Sequence, residues 1–178
     1  MNSIKQIEVI YNNRLVGRLA LTREGLCAFE YSAEWLSSGF SISPFELPLR
    51  SGVFIAKPRP FEGGFGVFDD CLPDGWGLLI LDRYLQQKGI NPCTLTLLDR
   101  LALVGSTGRG ALEFRPDNSV VTRQDFADFE KLALEAEKIL TSDDYMGEGI
   151  EEFQDRGGSP GGARPKIFVR YNDKEWLV

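Results

Sequence analysis

The first third of the chain places apolar residues at every second position. Ile7, Val9 and Tyr11 fall on one face, with Glu8 and Ile10 between them. Asn12, Asn13 and Arg14 then supply turn chemistry before a second run at 15–21. A third strand fits 26–31, where Cys27, Phe29 and Tyr31 share a face. Period-two alternation of this kind predicts antiparallel strands that bury one side only. Glu34, Trp35 and Leu36 fit one helical turn. Short extended pieces are predicted at 45–49 and 53–56, with Pro44, Pro48 and Pro58 confining them to edges or ends.

The period then changes to that of a helix. Pro73, Asp74 and Gly75 open a turn, and Asp74 can cap the helix that follows. Leu78, Leu81 and Leu85 recur three and four apart with Tyr84 beside them, and Gly89 closes the segment. A second helix is predicted over 94–104, stopped by Gly105. The glycine-bearing stretch 105–110 then feeds a short strand at 111–115. Thr122 and Asp125 resemble a capping box. Beyond them, Phe126, Phe129, Ala133, Ala136 and Leu140 form an apolar stripe that fits packing on a neighbour. After Leu140 the chain turns polar and glycine-bearing over 141–149, which marks a boundary.

Composition narrows the chemistry. Hydrophobic residues at 43% and charged residues at 26% are those of an ordinary globular protein. The formal net charge of −6 argues against a nucleic-acid coat or a polybasic membrane binder. Neither a secretory leader nor an apolar run long enough to span a membrane can be read, so cytoplasmic residence is expected. The chain has no histidine, which removes Ser-His-Asp and Cys-His catalysis and every imidazole metal site. Cys27, Cys71 and Cys93 are widely spaced in apolar company and read as reduced core thiols. Asp69, Asp70 and Asp74 fit a turn and helix cap better than a calcium loop, because Leu72 stands where a ligand is needed. Lys57, Pro58, Arg59 and Pro60 read as solvated surface. Trp35, Trp76 and Trp176 read as core anchors, since no basic clusters surround them.

The most unusual segment runs from Arg156 through Gly157, Gly158, Ser159, Pro160, Gly161, Gly162, Ala163, Arg164 and Pro165 to Lys166. It leads into a strand, a short turn at 172–174 and a second strand. A glycine-rich loop beside a hairpin can bring backbone N–H groups to phosphate oxygens, and Arg164 and Lys166 would add positive charge. Neither G-x-x-x-x-G-K-[ST] nor G-x-G-x-x-G is present. On chemistry alone, the segment fits a flexible hinge as well as a phosphate loop.

Three segments in order resemble the N-terminal portion of the HipA family of toxin kinases. Phe68, Asp69, Asp70, Cys71, Leu72, Pro73, Asp74, Gly75 and Trp76 resemble its leucine-proline-acidic-glycine turn before a helix. The stretch 105–115, ending Gly-Ala-Leu-Glu-Phe-Arg, resembles its loop before a core strand. The stretch 159–166 resembles its phosphate loop, where members often have Gly-Gly-Ala-Arg-Pro-Lys. The resemblance implies a bacterial cytoplasmic serine/threonine kinase of a type II toxin–antitoxin system, using ATP and magnesium. It further implies a HipB-like helix-turn-helix antitoxin as partner and an aminoacyl-tRNA synthetase as protein substrate. Carried over by position, Gly161, Gly162, Ala163, Arg164, Pro165 and Lys166 would touch the ATP phosphates, and Ser159 matches the autophosphorylated serine. Pro160 beside that serine would restrict the loop.

These readings give an α+β fold: an antiparallel, β-rich subdomain with packed helices over 1–120, a linking helix and boundary loop over 121–150, and the opening hairpin of a kinase-like small lobe over 151–178. A strand lysine, an aspartate base and a magnesium-holding aspartate have no room after Lys166. The 178 residues are therefore expected to be a kinase fragment without catalytic residues or metal ligands of their own. The other reading is a stand-alone, non-catalytic module that binds a partner kinase or antitoxin.

Overall fold

The computed structural model describes residues 3–108, 110–119, 129–142, 150, 153, 164–166, 168–171 and 174–177. They fall in two compact units, Met1–Leu72 with Leu95–Ser119, and Pro73–Thr94 with Val120–Val178. The architecture is mixed α+β, as the two hydrophobic periods predict. Among the described residues, no helix is long and apolar enough to cross a membrane.

The first unit is built on a five-stranded antiparallel sheet. Its strands are β1 (Gln6–Tyr11), β2 (Arg14–Leu21), β3 (Cys27–Tyr31), β4 (Val53–Ile55) and β5 (Glu113–Arg115), in the order β4-β3-β2-β1-β5. Asn12 and Asn13 both adopt positive φ between β1 and β2, the requirement of the tight turn that suits a right-twisted hairpin. Register decides which side chains meet. Ile7, Leu19, Phe29 and Phe54 align across four strands on the buried face. On the opposite face the same ladder aligns Arg115, Glu8, Arg18, Glu30 and Val53. The charges in that row alternate in sign, and Arg18 lies 3.3 Å from Glu8. Opposite charges in neighbouring strands favour this register over a one-residue slip.

Three helices line the buried face: α1 (Ala33–Ser38), α2 (Gly66–Asp69) and, after the chain has visited the second unit, α4 (Leu97–Val104). They contribute Trp35, Phe68, Leu98 and Leu101 to the core. Phe29 stands 4.9 Å from Tyr31 and 5.5 Å from Phe68, ring centre to ring centre. The Phe29 ring lies over Gly17, where an added Cβ would come within 2.7 Å of its Cζ and overlap the Glu30 carbonyl oxygen. A glycine is required there for packing rather than for its dihedral freedom. Tyr31 donates its hydroxyl to the Leu47 carbonyl at 2.5 Å and accepts the Ile42 N–H at 3.1 Å.

Local departures from the sequence reading have physical causes. Where an extended piece is predicted over 45–49, residues 44–46 form a turn closed by a bridge between Ser43 and Leu47. The bonds to Tyr31 and from Ser41 to the Leu47 carbonyl fold that segment back, burying Leu47 and leaving Phe45 fully exposed. The helix predicted over 94–104 starts later, after a 3-10 turn at Pro92–Thr94. Thr96 caps it, accepting the Asp99 N–H at 3.2 Å while the Asp99 carboxylate takes the Thr96 N–H at 2.9 Å.

In the second unit, α3 (Gly75–Gln87) follows Asp74 at its N-cap, and α5 spans Phe129–Thr141. A small core joins Trp76, Ile80, Ala136, Ile139, Ile150 and Phe153. The helical faces differ from those predicted. Leu81 and Leu85 are buried, but Leu78 is exposed and Trp76 and Ile80 take the core position. In α5 it is Ile139, not Leu140, that turns inward beside Ala136. The capping pair Thr122 and Asp125, with Phe126, lies outside the described residues. β6 (Phe168–Tyr171) and β7 (Lys174–Leu177) form the predicted hairpin, with Arg170 opposite Glu175 and Tyr171 opposite Lys174. Trp176 is half exposed rather than a core anchor.

Candidate functional site

The segment with the most specific chemistry meets the described structure at its C-terminal end. Arg164 and Pro165 are exposed and Lys166 is half-buried, two residues before β6 begins. A two-residue connection then joins β6 to β7. Two cationic side chains therefore stand where a glycine run enters a short antiparallel hairpin. That donor set suits phosphate oxygens. Ser159, Gly161, Gly162 and Ala163 lie outside the described residues. Among the described residues, no group of three or more carboxylates or thiols gathers in a way that could hold a metal ion.

The other two segments singled out in the sequence are structural. Cys71 and Leu72 pack against the core of the first unit, while Pro73 and Asp74 begin the second, with Asp74 ahead of α3. Partial burial, then Glu62 and Asp70, raise the Asp69 carboxyl above its usual value. Burial pushes the thiols of Cys27 and Cys71 up to about 11 each, with Asp70 adding to the effect on Cys71. Both stay protonated at neutral pH and are poor nucleophiles. Cys93, expected in apolar company, is exposed.

In the 105–115 segment, Gly105 ends α4 with φ +50° and hands the chain to β5. The Phe114 N–H donates to the Gly105 carbonyl at 3.1 Å. Asp117 accepts the Ser106 N–H at 3.1 Å and the Ser119 N–H at 3.0 Å, holding the loop from its far side. Burial alone would raise the Asp117 carboxyl, but the bonds from Ser106 and Ser119 outweigh it and hold it below its usual value.

Sequence reasoning missed Asp99. Its carboxylate is buried and accepts from Ile4 N–H at 2.9 Å and from Thr96 N–H and Oγ1 at 2.9 and 2.6 Å. The signal available was Thr96 three residues ahead of Asp99, the spacing of a capping box.

The HipA N-terminal domain family matches residues 7–115, more than half of the chain. The chain belongs to that family. Among solved structures, it is similar to HipA of Shewanella oneidensis MR-1, determined with HipB and its operator DNA. The TM-score is 0.56 at 21% sequence identity, over 96% of this chain and 37% of that one. At this identity the likeness establishes the fold, and the chain spans little more than a third of that protein. A search of curated proteins returns no match.

Proposed function

We propose that these residues are the N-terminal portion of a HipA-like serine/threonine protein kinase, the toxin of a toxin–antitoxin pair, and that they contain its ATP-phosphate loop. The observation that carries this reading is order: the family's N-terminal domain over 7–115 is followed by a glycine run that ends in Arg164, Pro165 and Lys166 at the start of a hairpin. Residues 1–120 are the N-terminal subdomain, 121–150 the link, and 151–178 the opening of the small lobe. The backbone amides of Gly161, Gly162 and Ala163 are the donors to the phosphates. Lys166 and Arg164 balance the phosphate charge, and Pro165 stiffens the approach to β6. ATP supplies the transferred phosphoryl group, and magnesium ligands belong to no described residue of this chain. The partner is a HipB-like antitoxin, the protein substrate an aminoacyl-tRNA synthetase, and the compartment the cytoplasm.

Binding of ATP by these 178 residues, measured by calorimetry, tests the loop directly. Lys166→Ala should weaken it about tenfold, the size of one charge-assisted contact. Phosphoryl transfer also needs a strand lysine, an aspartate base and a magnesium-holding aspartate, so these residues alone should transfer no phosphate to themselves or to added protein. Undetectable ATP binding, with an intact fold by circular dichroism, would leave the non-catalytic module as the better reading.

A further inference from the structure

The two edges of the five-stranded sheet are finished differently. On the face away from the core, β5 sets Glu113 and Arg115, whereas β4 sets Val53 and Ile55, which are 57% and 60% exposed. Charged residues on an edge discourage a further strand, and β4 lacks them within its length.

The ladder also fixes which main-chain groups of β4 are spoken for. The Ala56 N–H donates to the Cys27 carbonyl at 2.8 Å. In an antiparallel pair the bonded positions recur every second residue, so Phe54 also turns its N–H and carbonyl toward β3. Those of Val53 and Ile55 turn outward. Among the described residues, these two donors and two acceptors have no hydrogen-bond partner.

The segment that holds this edge is cationic although the chain as a whole is acidic; across the ladder, Glu30 of β3 stands opposite Val53 and leaves the cations to the two ends of β4. Between Leu47 and Phe61 stand Arg50, Lys57 and Arg59, all exposed, and no acidic residue, while the whole chain has a formal net charge of −6. Leu49 adds a partly exposed apolar side chain.

We propose that β4 is a docking edge for an extended acidic segment of a partner protein, which joins the sheet as a sixth strand. Main-chain bonds to Val53 and Ile55 hold it, its apolar side chains cover those two residues, and its carboxylates meet Arg50 and Lys57 at either end. A second copy of this chain is a poor occupant. Edge-to-edge pairing about a two-fold axis would set each Arg50, Lys57 and Arg59 against the same cations of the other copy. The shortness of β4 and the Lys57-Pro58 that follows it keep the edge from open-ended pairing. This assignment is independent of ATP binding.

The probe is a short synthetic peptide alternating glutamate with valine and isoleucine, with a lysine-for-glutamate peptide as control. Each is added to the full 178-residue chain while amide hydrogen exchange is followed. The glutamate peptide is expected to slow exchange at Val53 and Ile55 by about tenfold or more, and the lysine peptide to leave it unchanged. Arg50→Glu together with Lys57→Glu should reverse that preference. Val53→Pro, which removes an outward donor and leaves the Phe54 and Ala56 N–H groups to β3, should abolish the protection. Equal responses to both peptides, or none, would overturn the proposal. So would a chain that sediments as a dimer with Val53 and Ile55 already protected, since that assigns the edge to a second copy.

Discussion

The backbone N–H of Ile4 donates to the carboxylate of Asp99 at 2.9 Å, joining positions 95 residues apart in the chain. The same carboxylate closes the capping box of α4 with Thr96, so one buried group fixes both a helix start and the segment leading into β1.

Asp99→Ala is expected to lower stability by about 2 kcal/mol, because a charged acceptor is lost and two partly buried N–H groups are left without it. Burial alone would raise this carboxyl, but the bonds from Thr96 and Ile4 outweigh it and lower it below its ordinary value of 3.8. Its contribution is therefore complete above that value and is lost as the pH falls through the lower folded value. Urea titrations on the acid side should show the native protein losing stability more steeply than Asp99→Asn.

Gly105 and Asp117 should be coupled. A Cβ at Gly105 would overlap Asp117 Oδ1 and would also have to accept φ +50°. Gly105→Ala is expected to cost about 2 kcal/mol, part steric and part conformational. In a double-mutant cycle, Asp117→Ala should recover the steric part, giving an interaction energy of about 1 kcal/mol. Strict additivity would mean that the dihedral strain is the whole effect.

Two buried tryptophans should respond differently to loss of the indole nitrogen. Trp35 donates Nε1–H to the Phe40 carbonyl at 2.8 Å, and the Arg14 guanidinium lies over its ring. The Nε1–H of Trp76, equally buried, has no acceptor among the described residues. Trp76→Phe removes an unsatisfied donor along with some volume and should change stability by less than about 1 kcal/mol. Trp35→Phe should cost at least about 1 kcal/mol more in the same thermal melts.

Ser159, which matches the serine that the HipA family autophosphorylates, offers a further test of the proposed phosphate loop. A phosphate there would add nearly two negative charges beside the loop proposed for ATP phosphates, with Arg156 and Arg164 close in sequence as charge partners. On the proposed kinase reading, Ser159→Asp should lower the ATP affinity of these 178 residues, while Ser159→Ala should keep it. Equal ATP affinity in the two variants would reduce Ser159 to an ordinary loop residue.

Strands were legible because the signal is local. The run predicted at 26–31 became Cys27–Tyr31, that at 53–56 became Val53–Ile55, and Gly105 ended α4 as expected. Helix faces were less legible, since leucine-rich stretches admit more than one apolar stripe. Packing chose Trp76 and Ile80 over Leu78, and Ile139 over Leu140. The turn at 43–47 could not be read at all, because the bonds from Tyr31 and Ser41 that bend it come from elsewhere in the chain. Of the candidate site, Arg164, Pro165 and Lys166 fall among the described residues, just ahead of β6, while Ser159, Gly161, Gly162 and Ala163 lie outside them.

The pairing of Glu8 with Arg115 has a consequence for synthesis. Strand β1 leaves the ribosome early, yet its partner β5 follows some hundred residues later, after the chain has passed through α3. At roughly 5–20 residues per second, β1 waits about 5–20 s with one edge unpaired. The nascent hairpin of β1, β2 and β3 is thus a template open to other chains during that interval. Slowing translation between Leu72 and Leu95 should lengthen the exposure and raise dependence on chaperones, without changing any contact of the finished protein.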